Sequence, residues 1–112
     1  MALKYVYISG PVTGRDYQEA KAEFRKAENA IKAKHGNKVV VVNPFDFCTP
    51  KLTWEEAMRK CISRLAYCDY IHCLPDFYKS RGARLEMQIA EELKLGVCND
   101  IYELEDFDNG KK

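Results

Sequence analysis

Apolar and polar positions along this chain repeat at two different spacings. Four short runs of β-branched, aromatic and other apolar residues predict strands, namely LKYVYIS (3–9), KVVVVN (38–43), DYIHCL (69–74) and the weaker VCNDIY (97–102). The segments between these runs repeat their apolar positions at helical spacing. Strands that alternate with helices are typical of parallel βαβ units, and the continuous apolar run VVVV favours a sheet covered on both faces. The pattern predicts an α/β fold, a small three-layer sandwich with a parallel sheet of four or five strands.

Three helices are predicted from their start and stop signals. The first begins near Asp16 with a capping-box-like start and ends at 35–36, the second begins at Thr53 with a clear capping box, and the third runs from Ser80 to Gly96. Ser is a good N-cap, and Gly is the usual residue just after a helix. We therefore expect Gly96 to end the third helix.

The third predicted helix carries a carboxylate on its apolar side. At about 100° per residue, one of its faces presents Gly82, Glu86, Ile89 and Leu93. A Glu near a helix N-terminus favours the helix dipole by ~0.3–1 kcal/mol, but that benefit does not require a side chain that faces the core. Because an unpaired buried charge is costly, we expect Glu86 to line a cleft, where it can serve as nucleophile, base or hydroxyl ligand.

The loops that follow the predicted strands are candidates for a binding site. In open parallel sheets, ligands bind outside the carboxyl ends of the strands, where strand order reverses. The segments that leave these ends are 9–16 (SGPVTGRD), 43–53 (NPFDFCTPKLT) and 75–80 (PDFYKS). We expect them to line one crevice, which the N-terminal turns of the three helices also face with N–H groups suited to an anion.

Two glycine-containing motifs in these loops each allow two interpretations. The loop SGPVTG, with Gly10 and Gly14, has neither the dinucleotide-binding nor the P-loop spacing. It fits a tight loop whose N–H groups approach a phosphate or sugar, and equally a plain strand-to-helix turn. Ser80 and Gly82 fit an anion-accepting helix start or a simple N-cap, and the position of Glu86 favours the anion site.

Other side chains near the expected crevice are less specific. Trp54 and Phe77 flank its loops and fit either core aromatics or rings that cover a flat ligand. Asp46 and Asp76 lie on its loops and are possible acids. Asp69 precedes the third strand, at the wrong end of the sheet for catalysis.

Composition narrows the class of protein. A chain of 112 residues has room for one hydrophobic core, and no segment has the ~18 apolar residues of a membrane span. The net charge is +1 with both signs interspersed, which gives no electrostatic footprint for a nucleic acid polymer. We expect a cytoplasmic protein with a small-molecule partner, no membrane contact, and reduced, mainly buried thiols at its five cysteines, Cys48, Cys61, Cys68, Cys73 and Cys98.

Together, these motifs resemble a known family. YISGPVTG, NP after the second strand, W and then MR in the second helix, CDYIHCLPDF and SRGARLEMQIAEELKLG are similar to the DUF4406 family, which is related to nucleoside 2-deoxyribosyltransferases. The similarity covers roughly residues 4–98. It implies a flavodoxin-like or Rossmann-like fold, with one nucleoside 2-deoxyribosyltransferase-like domain over 1–104 and a loosely held tail over 105–112.

The resemblance also implies a reaction at the N-glycosidic bond of a nucleoside or nucleotide. The family's nucleophilic Glu falls on Glu86, which would form a glycosyl-enzyme ester and pass the sugar to another base or to water, with no metal or organic cofactor. A retaining mechanism of this kind agrees with a carboxylate in a cleft. The candidate substrate-binding residues are Ser9, Gly10, Val12, Thr13, Gly14, Asn43, Asp46, Trp54, Asp76, Ser80 and Gly82.

Two positions bear on the substrate and the activity. The resemblance associates Ser at position 80 with 2′-deoxynucleoside 5′-monophosphate N-hydrolases and Asp with enzymes of free nucleosides, so Ser80 favours a phosphorylated substrate. Related enzymes carry an Asp where this chain has Cys61, and a thiol does not readily replace a carboxylic acid as proton donor to a leaving base. Either Asp46 or Asp76 takes that role, or hydrolysis has been lost.

We therefore expect a nucleoside deoxyribosyltransferase-like or nucleotide N-glycosidase-like enzyme that forms a homo-oligomer. Two alternatives stay open. One is a nucleotide-binding sensor or regulator without turnover, and the other is an NAD glycohydrolase, which a Glu in a cleft also suits.

Overall fold

Four parallel strands form the central sheet, in the order β2-β1-β3-β4. The computed structural model of the protein describes residues 3–98. The strands are β1 (Lys4–Ser9), β2 (Val39–Val42), β3 (Tyr70–Cys73) and β4 (Gly96–Cys98), and the helices are α1 (Tyr17–His35), α2 (Trp54–Leu65) and α3 (Arg81–Glu92). Short 3₁₀ turns span Gly36–Lys38, Pro44–Asp46 and Phe77–Lys79.

Helices cover both faces of the sheet, as the apolar pattern predicts. Val6 and Ile8 of β1 pack in one cluster with Phe24 of α1. Tyr7, between them, points to the opposite face and packs in a second cluster with Leu65 of α2 and with α3. The three-layer α/β sandwich is confirmed with four strands, while residues 99–102 of the last predicted strand and the tail over 105–112 lie outside the described residues.

Three side chains cap the three helices where the sequence predicts. Asp16 accepts from the Glu19 N–H at 3.0 Å, and Ser80 accepts from the Ala83 N–H at 3.2 Å. At α2 the full capping box forms, because Thr53 and Glu56 each accept from the other's N–H. Local sequence signals therefore predict where all three helices begin. These amino ends point at the candidate site.

The end of α3 differs from the prediction. The helix stops at Glu92, and Lys94 adopts a left-handed conformation with φ 63°, so Gly96 does not act as the stop. Gly96 instead begins β4, where a Cβ would stand 2.4 Å from a ring carbon of Tyr70. Close packing against this ring, not helix termination, requires a glycine there.

The buried face of α3 is also rotated from the predicted one. Leu93 is 49% exposed and Ile89 half-buried, while the buried residues are Gly82, Ala83, Glu86 and Ala90. Small side chains let the helix approach the sheet closely, and this decides which face is buried. Glu86 remains on the buried face.

A second buried carboxylate, which the sequence pattern does not single out, holds α1 to the loop after β2. Glu28 accepts from Asn43 Nδ2 at 3.0 Å and pairs with Lys32 Nζ at 2.6 Å and with Arg25. Burial acts to raise the pKa of Glu28, but these partners outweigh it and hold the pKa below its usual range.

Within residues 3–98, no helix combines the length and apolar content that a membrane crossing requires.

Candidate active site

A cavity of about 490 Å³ opens beyond the carboxyl ends of β1 and β2, between the first turns of the three helices. The loop 10–15 and the segment from 44 to 53 form much of its wall. The predicted crevice therefore exists, although of the third predicted segment, 75–80, only Ser80 reaches it. From the helices the lining residues are Tyr17, Phe24, Trp54, Ala57, Met58, Cys61, Gly82, Ala83 and Glu86.

Glu86 lines this cavity and is only 5% exposed. Ser9 Oγ donates to its Oε1 at 2.6 Å, and Tyr7 OH donates to its Oε2 at 2.8 Å. Tyr7 and Ser9 are two residues apart on β1, so both side chains point to the face of the sheet that α3 covers. Two hydroxyl groups from one strand thus hold both oxygens of one carboxylate from a helix.

Burial dominates the electrostatics of this group. It raises the pKa of Glu86, while the hydrogen bonds from Ser9, Tyr7 and Cys61 lower it in part. Burial and then the charge of Glu86 raise the pKa of Tyr7 well above its ordinary value, so the phenol keeps its proton and remains a donor. The arrangement provides a desolvated, oriented carboxylate, as a nucleophile requires.

Cys61 lines the cavity beside Glu86, at the position where the resemblance leads us to expect an Asp. Its Sγ lies 3.8 Å from Cys48 Sγ. Burial and the charge of Glu86 raise the pKa of Cys61 far above that of an ordinary thiol. Within residues 3–98 all the cysteines are free, and four of the five are buried, as the sequence indicates.

The start of α3 combines a cap with a close helix contact. Ser80 and Gly82 both line the cavity, and the Ser80 hydroxyl is already engaged as the N-cap acceptor. A Cβ at Gly82 would stand 3.0 Å from Met58 Sδ and 3.6 Å from Trp54 Nε1. Gly82 therefore lets α2 and α3 meet at the cavity wall, in addition to leaving the helix start open.

The glycine loop, residues 10–14, belongs to both the fold and the cavity wall. It is the turn from β1 to α1, and Gly10, Val12, Thr13 and Gly14 also line the cavity. Gly14 has φ 83°, a conformation that favours glycine, and a Cβ on Gly10 would lie 2.9 Å from the Leu74 side chain. Arg15 reaches back to the Pro11 carbonyl and to Glu23, which fixes the loop on α1.

Three predicted site residues lie elsewhere. Asn43 is buried against Glu28 and also caps the 3₁₀ turn that follows β2. Asp46 is exposed and bonded to Arg25, and Asp76 is exposed with φ 65° at the start of the next 3₁₀ turn. None of the three lines the cavity, and of the residues that the structure describes there, Glu86 is the sole carboxylate.

The two aromatic candidates also differ in position. Trp54 lines the cavity, and the Arg81 guanidinium lies 3.7 Å from its ring centroid. Phe77 packs instead against the second core cluster. Asp69 lies at the amino end of β3, away from the cavity, and accepts from the Tyr5 N–H at 2.8 Å.

Tyr7 is the site residue that sequence reasoning missed. Its signal is the two-residue spacing from Ser9, which places both hydroxyls on one face of β1. Among residues 3–98, no group of three or more His, Cys, Asp or Glu side chains is placed to hold a metal ion.

Comparisons with known proteins identify a matching family and similar solved structures. A family profile described as "Domain of unknown function (DUF4406)" matches residues 4–99. A 2-desoxiribosyltransferase from Leishmania mexicana has a similar structure, with a TM-score of 0.59 and 25% identity over 84% of this chain and 61% of that one. This chain thus spans less than two thirds of that protein's length.

A second solved structure shows the same fold. It is a 2-deoxyribosyltransferase from the psychrotolerant bacterium Bacillus psychrosaccharolyticus, with a TM-score of 0.60 and 17% identity over 83% of this chain and 69% of that one. No curated protein sequence matches the chain significantly.

Proposed function

This chain belongs to the DUF4406 family, and from that premise we propose that it cleaves or transfers at the N-glycosidic bond of a nucleoside or nucleoside 5′-monophosphate. The structural similarity to 2-deoxyribosyltransferases supports nucleoside glycosyl transfer in general. The observation that carries the proposal is Glu86, a buried carboxylate that two hydroxyl groups orient in the wall of a cavity of about 490 Å³.

In this mechanism the sugar lies against Glu86. A carboxylate oxygen attacks the anomeric carbon, the bond to the base breaks, and a glycosyl ester forms. Tyr7 and Ser9 keep the carboxylate in one orientation, which lowers the entropic cost of reaching the attacking geometry. Attack on the ester by a second base or by water then releases the sugar and regenerates Glu86.

The start of α3 is the proposed phosphate subsite. Ser80, Gly82 and the loop 10–14 meet at the cavity wall, where helix N–H groups and a positive dipole end favour an anion. Trp54 on the same wall would contact the substrate. By this proposal Asn43 and Asp46 act indirectly, since they fix the loop after β2 through Glu28 and Arg25.

Chromatography of released base tests the proposal. Wild-type protein and Glu86→Gln are incubated with deoxynucleosides, their 5′-monophosphates, ribonucleotides and NAD. We expect the wild type to release base. In the variant the rate of release should fall by at least about 10³-fold, since Glu86 both attacks the sugar and carries it in the glycosyl ester. Intact substrates at high wild-type concentration would contradict the proposal.

A nucleotide-binding regulator without turnover is the second candidate, and Cys61 is the observation that favours it. Such a protein would keep the cavity while it lacks a proton donor. It would be stabilised thermally by a nucleotide that it does not cleave, whereas the enzyme would release base from that nucleotide.

A further inference from the structure

Among the residues that the structure describes, the cavity has the proposed nucleophile but no second carboxyl group to protonate a departing base. Of its lining residues that the structure describes, only Glu86 carries a carboxyl group. Resting on the proposed function, we infer that the substrate's base carries a permanent positive charge, as in a pyridinium or an N7-alkylated purine nucleoside, so that it leaves without receiving a proton.

Three other carboxylates of the described residues are engaged outside the cavity. Asp46 is bonded to Arg25 at 3.0 Å, and Asp76 is exposed beside Lys79. Glu56, in the first turn of α2, accepts the Thr53 N–H in the capping box. None of these three lines the cavity, so none is placed to reach a base bound there.

The groups that do face Glu86 are poor acids. They are the hydroxyls of Tyr7 and Ser9 and the thiol of Cys61. Burial and the charge of Glu86 raise the pKa of both Tyr7 and Cys61, so each gives up a proton less readily than usual. A positioned general acid contributes about 10²–10⁴-fold, and a neutral purine or pyrimidine would have to leave without that contribution here.

The surroundings of Glu86 also favour a cationic base. The groups that donate to Glu86 from Ser9 at 2.6 Å and from Tyr7 at 2.8 Å are neutral hydroxyls. Arg15, the cationic side chain in the lining, is committed to Glu23 at 2.6 Å and to a backbone carbonyl. A positively charged ring would supply a counter-charge to the buried carboxylate and would favour its ionised form.

The reaction then balances without an acid. A Glu86 oxygen bonds to C1′, the C1′–N bond breaks, and its electron pair returns to the ring nitrogen and cancels the positive charge. The base departs neutral. Water then bonds to C1′, the ester bond breaks to restore the carboxylate, and the proton from water passes to solvent.

A matched pair of substrates isolates the charge of the base. Release of base is measured from N7-methylguanosine and guanosine, which share their sugar and ring system, with nicotinamide riboside as a second cation and deoxyguanosine as a second neutral substrate. Each rate is divided by the spontaneous rate under the same mildly acidic conditions. We expect the enhancement for the cationic substrates to exceed that for the neutral ones by about 100-fold, and to be lost in Glu86→Gln.

Two variants of Cys61 provide the converse test. Cys61→Asp supplies the missing acid and is expected to increase cleavage of guanosine or deoxyguanosine by about 10- to 100-fold. Cys61→Asn, similar in shape but without an acidic proton, should give no such gain. If the Asp variant does not fold, the ratio between substrates in the wild type decides by itself.

The outcomes separate this inference from the proposed function. Equal enhancement for neutral and cationic bases would overturn the inference and leave glycosyl transfer supported. No release of any base by the wild type or by Cys61→Asp would overturn both. Selective release from the cationic substrates would support both.

Discussion

Single residues decide whether the cavity can hold an ionised carboxylate. Glu86 is surrounded by protein, and the groups that donate hydrogen bonds to it, from Tyr7, Ser9 and Cys61, are all neutral. Neutral hydroxyls orient a carboxylate but compensate its lost hydration less than a cation does. The protein therefore gives up stability to keep this carboxylate in place, a trade-off common at functional sites.

Removing the charge of Glu86 should show this cost as a gain in stability. Glu86→Gln is expected to raise the free energy of unfolding at neutral pH by about 1 kcal/mol. Burial raises the pKa of Glu86 in the folded chain, so the ionised form costs stability at pH values above that pKa. Below the pKa of an unfolded Glu the residue is protonated in both states, and the advantage of the variant should vanish.

Thermal unfolding of Glu86→Gln and the wild type, from neutral pH to below the pKa of an unfolded Glu, measures this difference in stability. Glu91→Gln, an exposed position on the same helix, is the matched control and should show no such pH-dependent gain. An equal gain in both variants would mean that burial of Glu86 is not the cause.

The phenol of Tyr7 has a separable role. Tyr7→Phe removes a donor that lowers the pKa of Glu86, so the pKa should rise further and the acidic limb of the kcat/KM profile should move to higher pH. Loss of a hydrogen bond to a charged group predicts a roughly 10- to 100-fold decrease in rate. Tyr5→Phe, on the same strand and outside this cavity, is the control, and an unmoved limb in Tyr7→Phe would refute the positioning role.

At the scale of elements, the three helix starts converge on the cavity through local capping signals. Asp16, Thr53 and Ser80 accept the N–H groups that the sequence predicts. Because capping depends on residues three positions apart, it can be predicted without knowledge of the fold. The end of α3 could not be, since Gly96 is required by the Tyr70 ring of a neighbouring strand.

Variants that lack one of two of these caps distinguish an effect on stability from an effect on substrate binding. Ser80→Ala and Asp16→Ala should each cost about 1 kcal/mol of stability, because each leaves a helix N–H without its acceptor. Ser80→Ala alone should raise KM, and more for nucleoside 5′-monophosphates than for free nucleosides. An equal rise for both kinds of substrate would contradict a phosphate subsite at the start of α3.

At the scale of the whole molecule, the fold and the location of the cavity could be predicted from the sequence, whereas several contacts could not. Strand and helix periodicity predicts the sandwich, and the wheel position of Glu86 predicts its burial. The partnership with Tyr7 joins residues 79 positions apart, so local patterns do not indicate it. Burial of Glu28 likewise depends on Asn43, which sheet order brings to α1.

Assembly of several copies is the prediction at this scale. We expect a homo-oligomer, a dimer or larger, because a thin four-stranded sandwich leaves apolar side chains such as Tyr67, Tyr78 and Leu93 exposed. Light scattering should give a mass that is a multiple of 12.9 kDa. A mass equal to one chain would refute this expectation.

The position of β1 has a consequence for the order in which the molecule can form. β1 leaves the ribosome before the other strands of this sheet, yet it pairs on one side with β3, and Tyr5 meets Asp69 across 64 positions. Closing so long a loop precedes any gain from the pairing, which slows folding relative to a helical protein of equal length. A nascent chain that ends before Glu86 has Tyr7 and Ser9 without the carboxylate that they hold, so the cavity acquires this carboxylate only after β1, β2 and β3 have been synthesised.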